Sequence, residues 1–244
     1  MRAAVLAAVL AGVLAAAVPA SATLANGRIT VLAAASLTDV FPRIDPKPHY
    51  SFGGSDTLAA QIEQGAPADV FASASPTFTE RLYREHLVRK PIRFASNRLV
   101  VVMPRANPAG IHSVLDLRRR GVKIVIGSAS VPIGAYTRRV LARLGIADSV
   151  LANVVSEEPD VRSILAKVVL GEADAGFVYV TDAKAASGRV RTVAIPRRGQ
   201  PTVAYELAVV AATHDRRGAA AFVRTVLSPR GQRVLRAAGF GPRR

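Results

Sequence analysis

Short apolar runs ending in small residues alternate along this chain with stretches of helical period. That alternation confines the chain to the α/β class, with mostly parallel sheets flanked by helices. Residues 29–34 (ITVLAA) read as a buried parallel strand. The segment SLTD at 36–39 then reads as an N-cap with an acidic third position, opening a short helix that lasts until Pro42. Residues 50–52 form a second strand. From Ser55 an amphipathic helix carries Leu58 and Ile62 on one face and is closed by Gly65. A third strand at 69–73, a helix at 76–86 with proline in its first position, and an apolar strand at 99–103 complete a first block.

The pattern restarts with a strand at 122–126 and a helix at 133–144, striped by Val140, Leu141 and Leu144. A helix at 160–170 follows, then strands at 175–179 (AGFVY), 190–195 and 202–211, and two closing helices, the last ended by Gly239. Two such blocks in 244 residues predict two lobes, each with its own parallel-rich mixed sheet. The strands at 99–103 and 202–211 are read as the crossings between them. The expected division is residues 23–102 plus 206–244 for lobe I and 103–205 for lobe II. Ligands in such sheets sit beyond the carboxyl ends of the strands, so two facing lobes form a cleft that can close on a ligand.

Residues 1–22 stand apart. A positive start at Arg2, an apolar run from Ala3 to Val18, Pro19 and the small triplet Ala20, Ser21 and Ala22 describe a secretory signal peptide cleaved after Ala22. The alternative, a membrane anchor, needs roughly 20 apolar residues, and Pro19 stops this run early. The mature chain is therefore expected free in an exported compartment, a periplasm fitting best. The chain has no cysteine, which excludes disulfides, thiolate catalysis, iron–sulfur clusters and cysteine-bound zinc. Its four histidines (His49, His86, His112 and His214) form no metal-binding spacing. The net charge of +16 raises the question of nucleic acid. The basic residues, however, are scattered apart from one arginine triplet and four pairs, without interleaved aromatics, so the charge reads as a solvated basic surface rather than a nucleic-acid face.

The chemically informative positions are the turns from strand to helix. Ser36 follows the first strand, and Gly53, Gly54 and Ser55 follow the second. Residues 131–136 (VPIGAY) repeat the theme in the second block. Each places free N–H groups at a helix start, where the helix dipole favours an anion by about 0.3–2 kcal/mol. Serine at such a position is also an ordinary structural cap, so both readings stand on these residues alone. No nucleophile elbow, phosphate-binding loop or dinucleotide fingerprint is present. Glu157, Glu158 and Asp160 read as capping and solvated acids. Asp69 reads either as a cleft residue or as the residue that orients the turn before the third strand.

Seven stretches together resemble the periplasmic molybdate-binding protein family, the substrate-binding components of molybdate ABC transporters. They are AAASLTD at 33–39, FGGSDTLAAQI at 52–62, GAPADVF at 65–71, NRLVVV at 97–102, VPIGAY at 131–136, EPDVR at 158–162 and GFVY at 176–179. SPRGQ at 228–232 with Gly239 and Phe240 resembles the closing helix of many such proteins. The resemblance spans nearly all of residues 28–240. It implies a clam-like, non-enzymatic receptor that closes on one tetrahedral oxyanion, needs no cofactor, acts as a monomer and delivers molybdate or tungstate to a membrane permease. Carried over by position, Ser36 and Ser55 would donate hydroxyl and backbone N–H bonds, Ile133 and Val161 backbone N–H groups, and Tyr179 its phenolic O–H. The molybdenum would be held only through these oxyanion contacts, with no direct metal ligand.

Molybdate and tungstate are fully deprotonated dianions near neutral pH and only accept hydrogen bonds. A site for them should present donors and no buried carboxylate. Hydrogen bonds to a charged partner contribute about 1.5–3 kcal/mol each, so some seven can offset desolvation without a counter-charge. Sulfate, another oxyanion or a small carboxylate is the alternative ligand; protonated phosphate would need an acceptor that the set lacks. Asp56, next to Ser55, is expected to turn its carboxylate away from the anion. Pro42, Pro46 and Pro48 shorten the segment between Ser36 and Ser55 relative to the family, which predicts a first helix of about two turns and a less stable first lobe with binding retained.

Overall fold

The structure, a computed structural model, describes residues 28–243; the expected signal peptide, residues 1–22, lies outside the described residues. The ten strands are β1 (Thr30–Ala34), β2 (His49–Gly53), β3 (Val70–Ser73), β4 (Ile92–Asn97), β5 (Leu99–Pro104), β6 (Ile124–Gly127), β7 (Val154–Glu158), β8 (Ala175–Tyr179), β9 (Val190–Ala194) and β10 (Val203–Val209). The α-helices are α1 (Phe41–Ile44), α2 (Ser55–Glu63), α3 (Pro76–Arg84), α4 (Pro132–Leu144), α5 (Ala147–Leu151), α6 (Val161–Leu170), α7 (Val180–Ala185), α8 (Arg216–Leu227) and α9 (Pro229–Ala238).

The strands form two five-stranded sheets, ordered β2-β1-β3-β10-β4 and β7-β6-β8-β5-β9. In each, three parallel strands are followed by two antiparallel pairings. Two mixed sheets with flanking helices agree with the two-lobed periplasmic-binding-protein fold that the resemblance implies. The chain passes between the lobes at residues 97–99 and again at 194–203, while β5 and β10 each lie wholly within one sheet. Two edge strands without a clean periodic signal, β4 (IRFASN) and β7 (VVSEE), complete the sheets.

Burial explains the sequence pattern. All residues of β3, β6 and β8 are buried, so these strands read as apolar runs rather than alternating ones. The first helix departs from expectation. Ser36 is not an N-cap; it lies inside a 3₁₀ turn (Ala35–Leu37), and Pro42 opens the single-turn α1 rather than ending a helix. Helical structure here is short because the prolines leave few N–H groups to continue it.

Packing compensates. The Phe41 side chain is fully buried, with ring centroids 5.5 Å from Phe222, 5.8 Å from Phe94 and 6.2 Å from Tyr50. Residues of α1, β2, β4 and α8 thus converge on one ring, and this anchors the shortened segment. Phe41→Ala should therefore cost about 3–5 kcal/mol of unfolding free energy. Urea denaturation of the ligand-free protein measures it; a loss under about 1 kcal/mol would show that the segment is dispensable to the first lobe.

Candidate functional site

Strand register builds the site. In the first sheet, Ala34 of β1 is paired with Gly53 of β2, and Ala33 lies opposite Ala72 of β3. The three carboxyl ends are therefore level, and the residues just beyond them (Ala35 and Ser36, Gly54 and Ser55, Ala74) meet at one edge. The second sheet repeats this. Gly127 of β6 is paired with Glu158 of β7, and β6 lies parallel to β8. The turn into α4, the turn into α6 and Tyr179 at the end of β8 consequently share an edge.

The two edges face each other across a cavity of ≈ 20 Å³. Its wall holds Ala34, Ala35, Ser36, Gly53, Gly54, Ser55 and Ala74 from the first lobe. The second lobe supplies Val131, Pro132, Ile133, Asp160, Val161 and Tyr179. All five residues singled out in the sequence (Ser36, Ser55, Ile133, Val161 and Tyr179) lie on this wall, and each is buried. A space of that size admits one compact group and no larger molecule.

The wall is rich in donors. Ser55 and Val161 are the first residues of α2 and α6, so neither N–H has an acceptor inside its own helix. In α4 the first residue is Pro132, which has no N–H, so Ile133 carries the first one. The N-caps of α2 and α4, Gly54 and Val131, supply no side-chain cap. Buried helix starts without capping side chains need an acceptor from elsewhere.

The hydroxyls are oriented as well. Ser55 Oγ accepts the N–H of Ala74 at 3.1 Å, which leaves its proton free to be donated. Ser36 Oγ shares a 2.8 Å hydrogen bond with Tyr205 Oη. Tyr179 Oη is buried and has no hydrogen-bond partner. Burial, together with the neighbouring Tyr205, holds the Tyr179 phenol well above its ordinary range, so it stays a protonated donor.

The acids sort themselves. The Asp160 carboxylate accepts from the N–H groups of Arg162 and Ser163, capping α6 and leaving Val161 N–H to the cavity. Glu157 pairs with Arg138, and Glu158 with Lys167. Asp69 is no cleft residue. It accepts from Thr30 N and Thr213 Oγ1 at the opposite end of β1. Asp56 is not on the cavity wall; its Oδ2 accepts from Ser130 Oγ across the seam between the lobes at 2.7 Å. One acid went unread in the sequence. Asp182, at the start of α7, is buried, and neither of its oxygens makes a hydrogen bond. Tyr205 and Ala74 were also missed: a tyrosine inside an apolar strand and an alanine after a strand carry no local signal of a role in binding.

Parallel strand ends feeding helix starts on two lobes, around a small donor-lined cavity, define a two-lobed binding protein for a compact anion. Residues 29–241 match the family model described as bacterial extracellular solute-binding protein. A relative, the molybdate-binding protein ModA of Mycobacterium tuberculosis (strain ATCC 25618 / H37Rv), is 38% identical over 232 residues, covering 91% of this chain and 87% of its own. Among solved structures, the periplasmic molybdate-binding protein of Azotobacter vinelandii superposes with TM-score 0.78 at 22% identity, covering 87% of this chain and 98% of that one. The sulfate-binding protein SubI of Mycobacterium tuberculosis superposes with TM-score 0.76, also at 22% identity, covering 88% and 86%. The last two likenesses concern the fold. The chain belongs to the molybdate-binding protein family of bacterial extracellular solute-binding proteins, which are receptors and not enzymes.

Gly54 marks how closely the lobes approach. A Cβ there would stand 2.5 Å from the carbonyl oxygen of Pro159 in the opposite lobe and 2.6 Å from Asp56 Oδ1. Backbone cannot yield to it without parting the lobes. Gly54→Ala should shift the ligand-free protein toward an open arrangement, seen as a larger radius of gyration in small-angle X-ray scattering. An unchanged radius would refute the wedge.

Proposed function

We propose that this chain captures molybdate, and tungstate with it, between its two lobes and delivers it to the permease of an ABC transporter. The observation that carries this reading is the buried, unpartnered Tyr179 hydroxyl on the wall of a cavity lined by uncapped helix starts. In this reading Ser36 and Ser55 hold the oxyanion from the lobe of the first sheet. Ile133, Val161 and Tyr179 hold it from the lobe of the second sheet. No wall residue is cationic, and the one acidic wall residue, Asp160, is committed to its own helix. The site therefore recognises an acceptor-only dianion by geometry. A planar carboxylate would leave donors on one lobe unfilled, and a hydrogen phosphate would find no acceptor for its proton. Sulfate has shorter bonds to oxygen than molybdate and would span the same donors less well. Residues 1–22 act as the export signal in this reading, with cleavage near Ala22 and a monomeric carrier in the periplasm.

Thermal-shift titration with molybdate, tungstate, sulfate and phosphate at matched ionic strength tests it. Stabilisation of about 2.7 kcal/mol at a hundredfold excess over Kd is expected for the first two alone. Equal response to sulfate would make this a general oxyanion receptor, and a flat response to all four would refute the reading. Tyr179→Phe removes one donor to a charged ligand. It should weaken molybdate binding by about 1.5–3 kcal/mol, roughly ten- to a hundredfold, while leaving the fold intact; isothermal titration calorimetry measures the loss.

A further inference from the structure

Arg162 follows Val161 directly and reaches across the seam beside the cavity. Its Nη2 is ion-paired with Asp39 of the first lobe, and its Nε–H is directed at the carbonyl oxygen of Ala35 at 3.4 Å. The same Nε lies 3.6 Å from Asp182 Oδ1, in Arg162's own lobe. One guanidinium therefore faces two carboxylates, one on each side of the seam, and in the closed arrangement it is turned toward Asp39. Asp39 is more than half exposed, whereas the Asp182 side chain has no exposure at all. Closure thus leaves a buried carboxylate without a hydrogen bond. That is an expensive state for an ionised group. Opening releases Arg162 from Asp39 and frees the whole fork for Asp182.

We propose that Asp182 is a positioning residue that limits affinity: it competes with Asp39 for Arg162 and so holds part of the population open. The inference rests on the reading of the cavity as an oxyanion site only for its ligand arm, since the competition acts on closure itself. A ligand can shift such a balance only by its differential affinity for the two arrangements, so whatever stabilises the open one weakens binding.

Protonation of Asp182 removes the competitor. The groups that face it are Arg162 from α6, Asp39 from the turn after the first strand, Tyr179 of β8 and Tyr205 of β10. Lys184 of its own helix donates instead to the carbonyl oxygen of Ala237. Both phenols are held above their ordinary range by burial and stay neutral. All four histidines are exposed and lie elsewhere. Burial pushes the Asp182 carboxyl up to about 7 in the closed arrangement, against the pull of Arg162. In the open arrangement, fully paired with Arg162, the carboxyl ionises more readily. Closing then takes up a proton. The closed population rises as pH falls through about 7 and falls as pH rises above it.

The test compares wild type, Asp182→Asn and Asp39→Asn. The chain has no cysteine, so Glu85→Cys and Glu172→Cys give one exposed labelling site per lobe for energy transfer. Asp182→Asn should close the ligand-free protein further and tighten molybdate binding several-fold, mainly through slower dissociation. It should also flatten the dependence of closure and Kd on pH between 6 and 8. Asp39→Asn, a change at an exposed side chain, should open the protein and weaken binding several-fold. Unchanged closure and pH dependence in Asp182→Asn, or weaker binding, overturns the proposal. Should Asp182→Asn not fold, an Asp39→Asn variant indistinguishable from wild type overturns it equally. Should wild type bind none of the oxyanions, the functional reading fails while the energy-transfer arm still decides this one.

Discussion

Buried N–H groups that point at nothing in their own helix are the constraint around which this molecule is organised. A backbone donor removed from water without an acceptor costs free energy comparable to a lost hydrogen bond, so a fold rarely leaves several of them together. Here the starts of α2, α4 and α6 meet around one small cavity, with the Tyr179 hydroxyl beside them. The parallel strands, the level carboxyl ends and the glycine and alanine wall all serve that convergence. Large side chains at positions 34, 35, 53, 54 or 74 would fill the space; a cation would supply charge where direction is wanted. A donor-lined cavity with no cationic wall residue suits an acceptor that arrives from solution.

Selectivity follows from the same source. A lysine or arginine in the cavity would attract any small anion, because its charge acts over distance and tolerates many shapes. Fixed N–H vectors tolerate few. Among the described residues the arginines are kept to the surface and the seam, where Arg162 acts on the relation between lobes and not on the ligand. Recognition and closure are thus assigned to different chemistry, directional donors for the one and an ion pair for the other.

How much of this was written legibly in the chain depended on whether the signal was local. Strands buried on both faces, such as AGFVY of β8, announce themselves by continuous apolarity, and α2 and α4 by their period and their glycine or proline punctuation. Ser36, Ser55, Ile133, Val161 and Tyr179 stood at helix starts or a strand end, and a family resemblance picked them out from ordinary caps. What escaped notice was decided by tertiary context. The strand β4, IRFASN, is polar at its edge and owes its place to pairing with β10. The helix α7 is a single short run after a strand, with nothing periodic to mark it. Asp182 looked like any acidic residue in a helix start; only the surrounding fold buries it. The first helix failed for the opposite reason, since Ser36 and Asp39 mimic a cap while Pro42 redirects the chain into two separate turns.

The order of strands in the first sheet has a further bearing on how the chain reaches its working place. Strand β10 lies between β3 and β4, yet it is made only after the entire second sheet. Until residue 209 is available, the first sheet has a gap between β3 and β4, and β4 has no partner within it. Contacts of such long sequence separation form late, because the intervening loop must close before they give any return. A growing chain would therefore stay without a finished first lobe for most of its synthesis. In a member of this extracellular solute-binding family the strand order thus delays completion of the first lobe until nearly the whole chain has been made.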